Sequence, residues 1–335
     1  MPMPEPTTRT NTSPAVLSLI TDALMCRQRF IITSHARPDG DSIGSQVALA
    51  QALKLLDKQV RIVNRDAAPE PYLNLPGVSE IEVNNQVSGD FDAAIVLECA
   101  MLARTGLDGL DKYFIINIDH HTGNSMYGAL NWLDESASAC AELVFELIMR
   151  LGAPLKTTIA NQLYLAILTD TGSFHHSNIT PRTFEICHRL TKTGIDPAAL
   201  ARLVLDTNTI GKLKLTSAVI NSIQIKANGR LAVLYLDSEM LTTSGGTDGD
   251  TEGLANVPLT VKEIQAVIFF KVFPDHVRVS LRSKEGIDVQ AVAAMFGGGG
   301  HRNASGFTMN DRFEKARVST IEHVTEAIDA ANSSK

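Results

Sequence analysis

The chain has no run of 18 or more apolar residues, so no segment reads as a helix that crosses a membrane. The first 13 residues, MPMPEPTTRTNTS, lack the apolar stretch of a secretory signal. Its four cysteines, Cys26, Cys99, Cys140 and Cys187, are scattered without a C-x-x-C pair, which excludes a disulfide framework and places the protein in a reduced, cytoplasmic setting. Aromatic residues are sparse, with 12 Phe, 5 Tyr and 1 Trp, and they do not interleave with basic residues. A stacking platform for long single strands is therefore not expected. Positive charge is also in deficit: 30 Lys and Arg against 37 Asp and Glu give a net charge of −7. Any recognition of phosphate must come from a local arrangement rather than from the whole molecule's field.

What remains is a globular composition, 44% apolar and 20% charged, over 335 residues, enough for two domains of ordinary size. A helix opens at Ser13-Pro14 after a Pro/Thr-rich leader. Strand-like runs follow at 30–33, 60–63, 92–97 and 113–118, nearly all apolar, as strands buried on both faces require. Helical patterns separate and follow them, at about 43–56, 139–151, 157–168, 181–193 and 197–205. The expected fold class is α/β, with a parallel sheet in residues 14–205. Residues 206–228 read as a linker carrying one helix, and 229–330 as a smaller α/β unit.

The densest chemical signal is His35-x3-Asp39-x-Asp41, placed just after a strand and just before a helix. Loops at the carboxyl ends of parallel strands face the crevice where doubly wound folds bind ligands. One imidazole and two carboxylates within seven residues suit Mn²⁺ or Mg²⁺. Read alone, Asp39-Gly40 also fits a turn and Asp41 a helix cap. Asp119-His120-His121 again follows an apolar strand; one ring is free to bind a metal while the other meets a substrate, and Asp119 can orient a ring. Glu98 and Asp170 each close an apolar run, where an unpartnered carboxylate is expensive. His35, Asp39, Asp41, Glu98, His120 and Asp170 make too acidic a set for one ion. They suit two ions about 3.5–4 Å apart sharing a bridging carboxylate, an arrangement that serves phosphoester hydrolysis.

A third signal lies near the C-terminus, in Gly297-Gly298-Gly299-Gly300-His301-Arg302-Asn303-Ala304-Ser305-Gly306. Glycines let backbone N–H groups approach an anion, and His301, Arg302, Asn303 and Ser305 add donors. Upstream, Arg278, Ser280 and Arg282 alternate along a strand and share one face. Five Lys and Arg against three Asp and Glu in 271–306 make this stretch +2 within an acidic chain. A phosphate cradle is the reading.

Taken in order, His35-Ala36-Arg37-Pro38-Asp39-Gly40-Asp41-Ser42-Ile43-Gly44, Asp119-His120-His121, Thr169-Asp170-Thr171-Gly172 and the glycine run resemble the DHH/DHHA1 phosphoesterase family over about residues 14–330. The length and domain order are most similar to its nano-RNase/pAp-phosphatase branch. The resemblance implies a DHH domain that binds two Mn²⁺ ions, with Mg²⁺ or Co²⁺ as substitutes, and a DHHA1 domain that binds substrate. It implies His35 and Asp39 on one ion and Asp41, His120 and Asp170 on the other. His121 and Arg104 would face the phosphate, with Asp119 supporting them, and Arg282, Gly299, Gly300, His301, Arg302, Asn303 and Ser305 would hold substrate. The family's bridging Asp is replaced here by Glu98, in Val96-Leu97-Glu98-Cys99-Ala100. The implied activity is hydrolysis of short oligoribonucleotides, of 3′-phosphoadenosine 5′-phosphate (pAp), or of both. Two other readings stand beside it: a phosphodiesterase for cyclic or linear dinucleotides, and a nucleotide-binding module impaired in catalysis by Glu98. A homodimer is allowed for.

Overall fold

An apolar run without alternation forms a strand only if both of its faces are covered. Phe30-Ile31-Ile32 shows how this happens in the computed structural model, which describes residues 14–284, 286–310 and 313–333. Phe30 and Ile32 enter the core under the helices. Ile31 points the other way, packing with Val63, Ala94, Leu107 and Leu110. All three are fully buried, each contributing about 1.5–3 kcal/mol. The leader and the proposed Ser13 cap lie outside the described residues.

The chain divides into two compact units between Thr207 and Asn208. The first contains α1 (Pro14–Met25), β1 (Arg29–Thr33), α2 (Gly40–Lys54), β2 (Gln59–Asn64), β3 (Ile81–Val83), β4 (Ala93–Leu97), β5 (Ile115–Asp119) and β6 (Leu130–Leu133). Four helices follow: α3 (Cys140–Leu151), α4 (Thr157–Asp170), α5 (Pro181–Thr191) and α6 (Pro197–Leu205). Six strands pair in the order β3-β2-β1-β4-β5-β6, all parallel. The parallel sheet is as expected, with two additions: β3 and β6, of three and four residues, are too short to show a period in sequence. The order reverses between β1 and β4, and the crevice at their carboxyl ends is the natural ligand site of such a sheet.

Helix α2 has 13 of its 15 residues buried, so it is enclosed on all sides rather than amphipathic. Asp39 caps it, accepting the Ser42 N–H at 2.9 Å. Gly44 lets it cross α4 closely: a β-carbon there would meet the Gln162 carbonyl oxygen at 2.5 Å. That crossing brings the start of α2 and the end of α4 to the same edge of the sheet.

The second unit holds α7 (Ile210–Asn221), β7 (Gln224–Lys226), β8 (Leu231–Leu236), α8 (Ser238–Ser244), β9 (Ala266–Val272), β10 (Val277–Ser283), α9 (Val289–Met295), β11 (Gly299–His301), β12 (Ala304–Met309) and α10 (Phe313–Ser333). Its mixed sheet runs β11-β12-β10-β9-β8-β7, with β8 and β9 parallel. The segment read as a linker is part of this unit: Leu215 and Val219 of α7 are buried with Ala232, Leu234 and Phe269, and β7 pairs with β8. Two apolar side chains one helical turn apart needed a covered face, and the sheet supplies it. The glycine run, read as a phosphate cradle, continues into the hairpin of β11 and β12, in which Gly300 pairs with Ser305.

Candidate metal centre

Three neighbouring strands and one helix deliver chemistry at their carboxyl ends. The loop after β1 carries His35, Asp39 and Asp41, the residue after β4 is Glu98, β5 ends in Asp119 before His120 and His121, and α4 ends in Asp170. Ligand atoms of Asp41, Glu98, His120 and Asp170 all lie within 4.8 Å of one another, as do those of Glu98, His120 and His121. His35 and Asp39 form an adjoining pair, with Nε2 to Oδ2 at 3.7 Å.

Each imidazole is aimed by its other nitrogen. His35 Nδ1 donates to the Ala36 carbonyl at 2.9 Å and His120 Nδ1 to the Ala137 carbonyl at 3.0 Å, since a carbonyl can only accept. This leaves Nε2 in both rings as the atom that binds. His35 Nε2 lies 2.9 Å from Ser42 Oγ. His120 Nε2 lies 3.2 Å from Glu98 Oε1 and 3.5 Å from Asp170 Oδ2. His121 differs: its Nδ1 donates to Asp119 Oδ1 at 2.9 Å, and Asp119 is itself fixed by the His120 N–H at 2.9 Å and Asn124 Nδ2 at 2.6 Å.

Asp41 is buried, yet its oxygens accept from Ser45 Oγ at 2.8 Å and from the backbone N–H groups of Cys140 and Ala141 at 2.5 and 3.1 Å. Those two amides open α3 and have no partner within their helix, so the helix end and the carboxylate satisfy each other. Glu98 is 1% exposed and sits in the left-handed region at φ 54°. A side chain in that region costs about 1–2 kcal/mol, a strain kept where surrounding contacts enforce it. Its Oε1 faces His120 and His121, while its Oε2 is buried without a hydrogen-bond partner.

The charges report how crowded this site is. Burial pushes Asp41 up to about 6, and Asp170 adds to the push while His120 opposes it. Burial also drives Glu98 well above the usual carboxylate range, helped by Asp41. Burial and the charge of Asp39 raise Asp170. For Asp39 burial acts upward too, but the bonds from His35 and the Ser42 amide win and hold it at about 2. Burial favours a neutral His120, yet Glu98 and Asp41 lift it to about 11. The acids therefore outnumber the cations that face them. Imidazole nitrogens, several carboxylates and one orphaned carboxylate oxygen are a donor set that a divalent cation completes.

Arg104 is exposed on the turn Leu102–Thr105, and its carbonyl accepts the Ala36 N–H at 2.7 Å. This ties the turn to the His35 loop, and the guanidinium's charge acts on the His35 ring.

In the second unit the expected cradle is split. Gly299 and Gly300 lie on the exposed edge strand β11, and His301 and Arg302 are exposed at its end. Arg302 lines a groove with Asp288, Met295 and His323, whereas Arg282 lines a pocket of about 220 Å³ with Lys271 and Ser280. Asn303 is engaged within the unit, donating to Ser283 Oγ at 3.0 Å and to the Lys284 carbonyl at 2.9 Å. Ser305 is buried and donates to the His301 carbonyl at 2.6 Å. Both shape the hairpin. Sequence reading missed Ser42, Asn124 and the amides of Cys140 and Ala141; only Ser42, beside Asp41 in the same motif, left a signal.

The same two domains and the same fold recur in known proteins. The DHH family N-terminal domain matches residues 29–167 and the DHHA1 domain residues 228–334. A Thermus thermophilus protein named bifunctional oligoribonuclease and PAP phosphatase NrnA is 30% identical over 90% of this chain and 90% of its own. One of the same name from Bacillus subtilis is 29% identical over 86% of this chain and 91% of its own. The crystal structure of an exopolyphosphatase-related protein from Bacteroides fragilis superposes with a TM-score of 0.81 at 27% identity, covering 95% of this chain and 98% of that one. With both domains matched in order and the relatives aligned nearly end to end, the chain belongs to the DHH phosphoesterase family, its DHH domain followed by a DHHA1 domain.

Proposed function

We propose that the protein is a two-metal phosphoesterase that uses Mn²⁺ and hydrolyses short oligoribonucleotides and pAp. The observation that carries this reading is Glu98, buried, strained and with one carboxylate oxygen unpartnered in the middle of the other donors. From that left-handed backbone the Glu98 carboxylate reaches His120 and His121 together.

In this reading His35 and Asp39 would hold one ion, Asp41, His120 and Asp170 would hold the other, and Glu98 would be shared by the two. When bound, such a pair lowers the pKa of water and offsets charge on a phosphoryl group. The chain's own residues do the rest. Asp119 fixes His121 through Nδ1, so Nε2 is the ring atom left to hold a phosphate oxygen or pass a proton to it. Arg104, exposed on its turn, meets the phosphate charge. In the second unit Gly299 has open space where a β-carbon would stand, and the N–H groups of this edge strand, with His301 and Arg302, suit a further phosphate. Two relatives named oligoribonuclease and PAP phosphatase support the substrate class. Four unpaired cysteines support a reducing, cytoplasmic setting.

The test compares Mn²⁺-dependent hydrolysis of 5′-labelled di- to pentanucleotides, of pAp and of a long RNA, with His120→Ala as control. Short substrates should be cleaved much faster than the long one, and only by the unmodified chain. Equal rates on short and long RNA, or no hydrolysis of any substrate, would overturn the reading.

A further inference from the structure

The segment after α4 turns back toward the end of that helix by an unusual route. Gly172, Ser173 and Phe174 take φ values of 54°, 60° and 61°, three consecutive left-handed residues, two of which carry side chains. Such strain persists only where contacts on either side enforce it. Here the Ser173 N–H donates to the Leu168 carbonyl at 2.7 Å, and those of His175 and His176 donate to the Thr171 carbonyl at 2.9 and 3.0 Å. The reversal returns Asn178 to the end of α4. Its one Nδ2 donates to the Asp170 carbonyl at 3.2 Å and to the Ser138 carbonyl at 2.9 Å, so both of its hydrogens are used.

Those two carbonyls belong to different arms of the site. Asp170 supplies a carboxylate. Ser138 lies in the turn whose Ala137 carbonyl aims His120 and whose Cys140 and Ala141 amides hold Asp41. Arg182, four residues after Asn178, grips the start of that turn through Asp134 at 2.6 Å, and Glu142 just beyond it accepts from Ser138 Oγ at 2.6 Å and Thr183 Oγ1 at 2.7 Å.

Building on the metal-dependent reading above, we propose that Asn178 is a positioning residue. By bridging the carbonyls of Asp170 and Ser138 it sets the distance between the α4 arm and the 134–141 turn, and so tunes how tightly the assembled donors hold a divalent ion. Supporting residues of this kind typically change metal affinity about 10- to 100-fold when removed.

The experiment titrates the full chain with Mn²⁺ alone by calorimetry, for the unmodified protein, Asn178→Ala, Asn178→Asp and Thr180→Ala. Asn178→Asp keeps the shape but cannot donate. Thr180 caps α5 and touches neither carbonyl, reaching Glu142 only through Thr183, so its variant shows what loss of stability and of that contact do while the Asn178 bridge is kept. Both Asn178 variants should bind Mn²⁺ about 10- to 100-fold more weakly, while Thr180→Ala loses melting temperature but keeps its affinity. Unchanged affinity in both Asn178 variants, or an equal loss in Thr180→Ala, overturns this inference alone. An unmodified chain that binds no Mn²⁺ overturns the metal-dependent reading and this inference with it.

Discussion

Oε1 of Glu98 lies 3.2 Å from Nε2 of His120, and the other oxygen of the same carboxylate is buried with no partner. A buried carboxyl group half satisfied in this way is costly unless a cation completes it. The neighbouring Asp41 and Asp170 deepen the imbalance.

The two adjacent histidines have separate tasks, and alanine variants separate them. His120→Ala removes an Nε2 surrounded by carboxylates and should abolish tight Mn²⁺ binding and activity together. His121→Ala should keep Mn²⁺ affinity close to that of the unmodified chain and lower kcat by about 10²- to 10⁴-fold, the range for a lost proton-transfer group. Calorimetric titration beside steady-state kinetics checks both, and equal losses of affinity in the two variants would remove the distinction.

Ion binding should stabilise the folded chain. At one hundred times Kd a ligand adds about 2.7 kcal/mol. At about 2–4 °C per kcal/mol for a domain of this size, the melting temperature should rise about 5–10 °C. Scanning calorimetry with and without Mn²⁺ measures this, and EDTA should reverse it. Glu98→Gln should show a much smaller rise, because the neutral amide cannot supply the missing charge. The same rise in both proteins would contradict the role given to Glu98.

Gly44 decides whether α2 and α4 can cross. A side chain there meets the Gln162 carbonyl, which belongs to helix backbone and cannot turn away. Gly44→Val should destabilise the protein by about 1–3 kcal/mol, the usual range for overpacking. It should also weaken Mn²⁺ binding, since α2 carries Asp41 and α4 carries Asp170. Urea unfolding gives the first quantity and titration the second; a variant with unchanged stability would show that the crossing has slack.

The four thiols should differ sharply in reactivity. Burial pushes Cys99 up to about 11 and Cys187 to about 12, and drives Cys140 well above the usual thiol range, whereas Cys26 is exposed. A disulfide reagent at pH 8 should therefore label one thiol in the folded chain and four after denaturation. Rapid labelling of two or more in the folded chain would mean that the region behind the site opens readily.

Much of this site was legible because its side chains cluster in sequence at strand ends. His35, Asp39 and Asp41 sit within seven residues, and Asp119, His120 and His121 are consecutive. The apolar strands before them fixed which edge they share. The groups that aim these ligands left little trace, since the Ala36 and Ala137 carbonyls and the Cys140 and Ala141 amides are backbone atoms that any residue supplies. Asn303 and Ser305 misled for a related reason. Their polar side chains suited a phosphate, but here Asn303 ties the hairpin to Ser283 and Lys284 at the end of β10 and Ser305 bonds the His301 carbonyl, partners visible only once the strands are paired.

Anomalous diffraction from crystals soaked in Mn²⁺ tests the central claim most directly. The account predicts two peaks about 3.5–4 Å apart, one beside His35 and Asp39, the other among Asp41, His120 and Asp170, with the Glu98 carboxylate between them. A site without peaks, or a single ion with Glu98 turned away from it, would contradict the account.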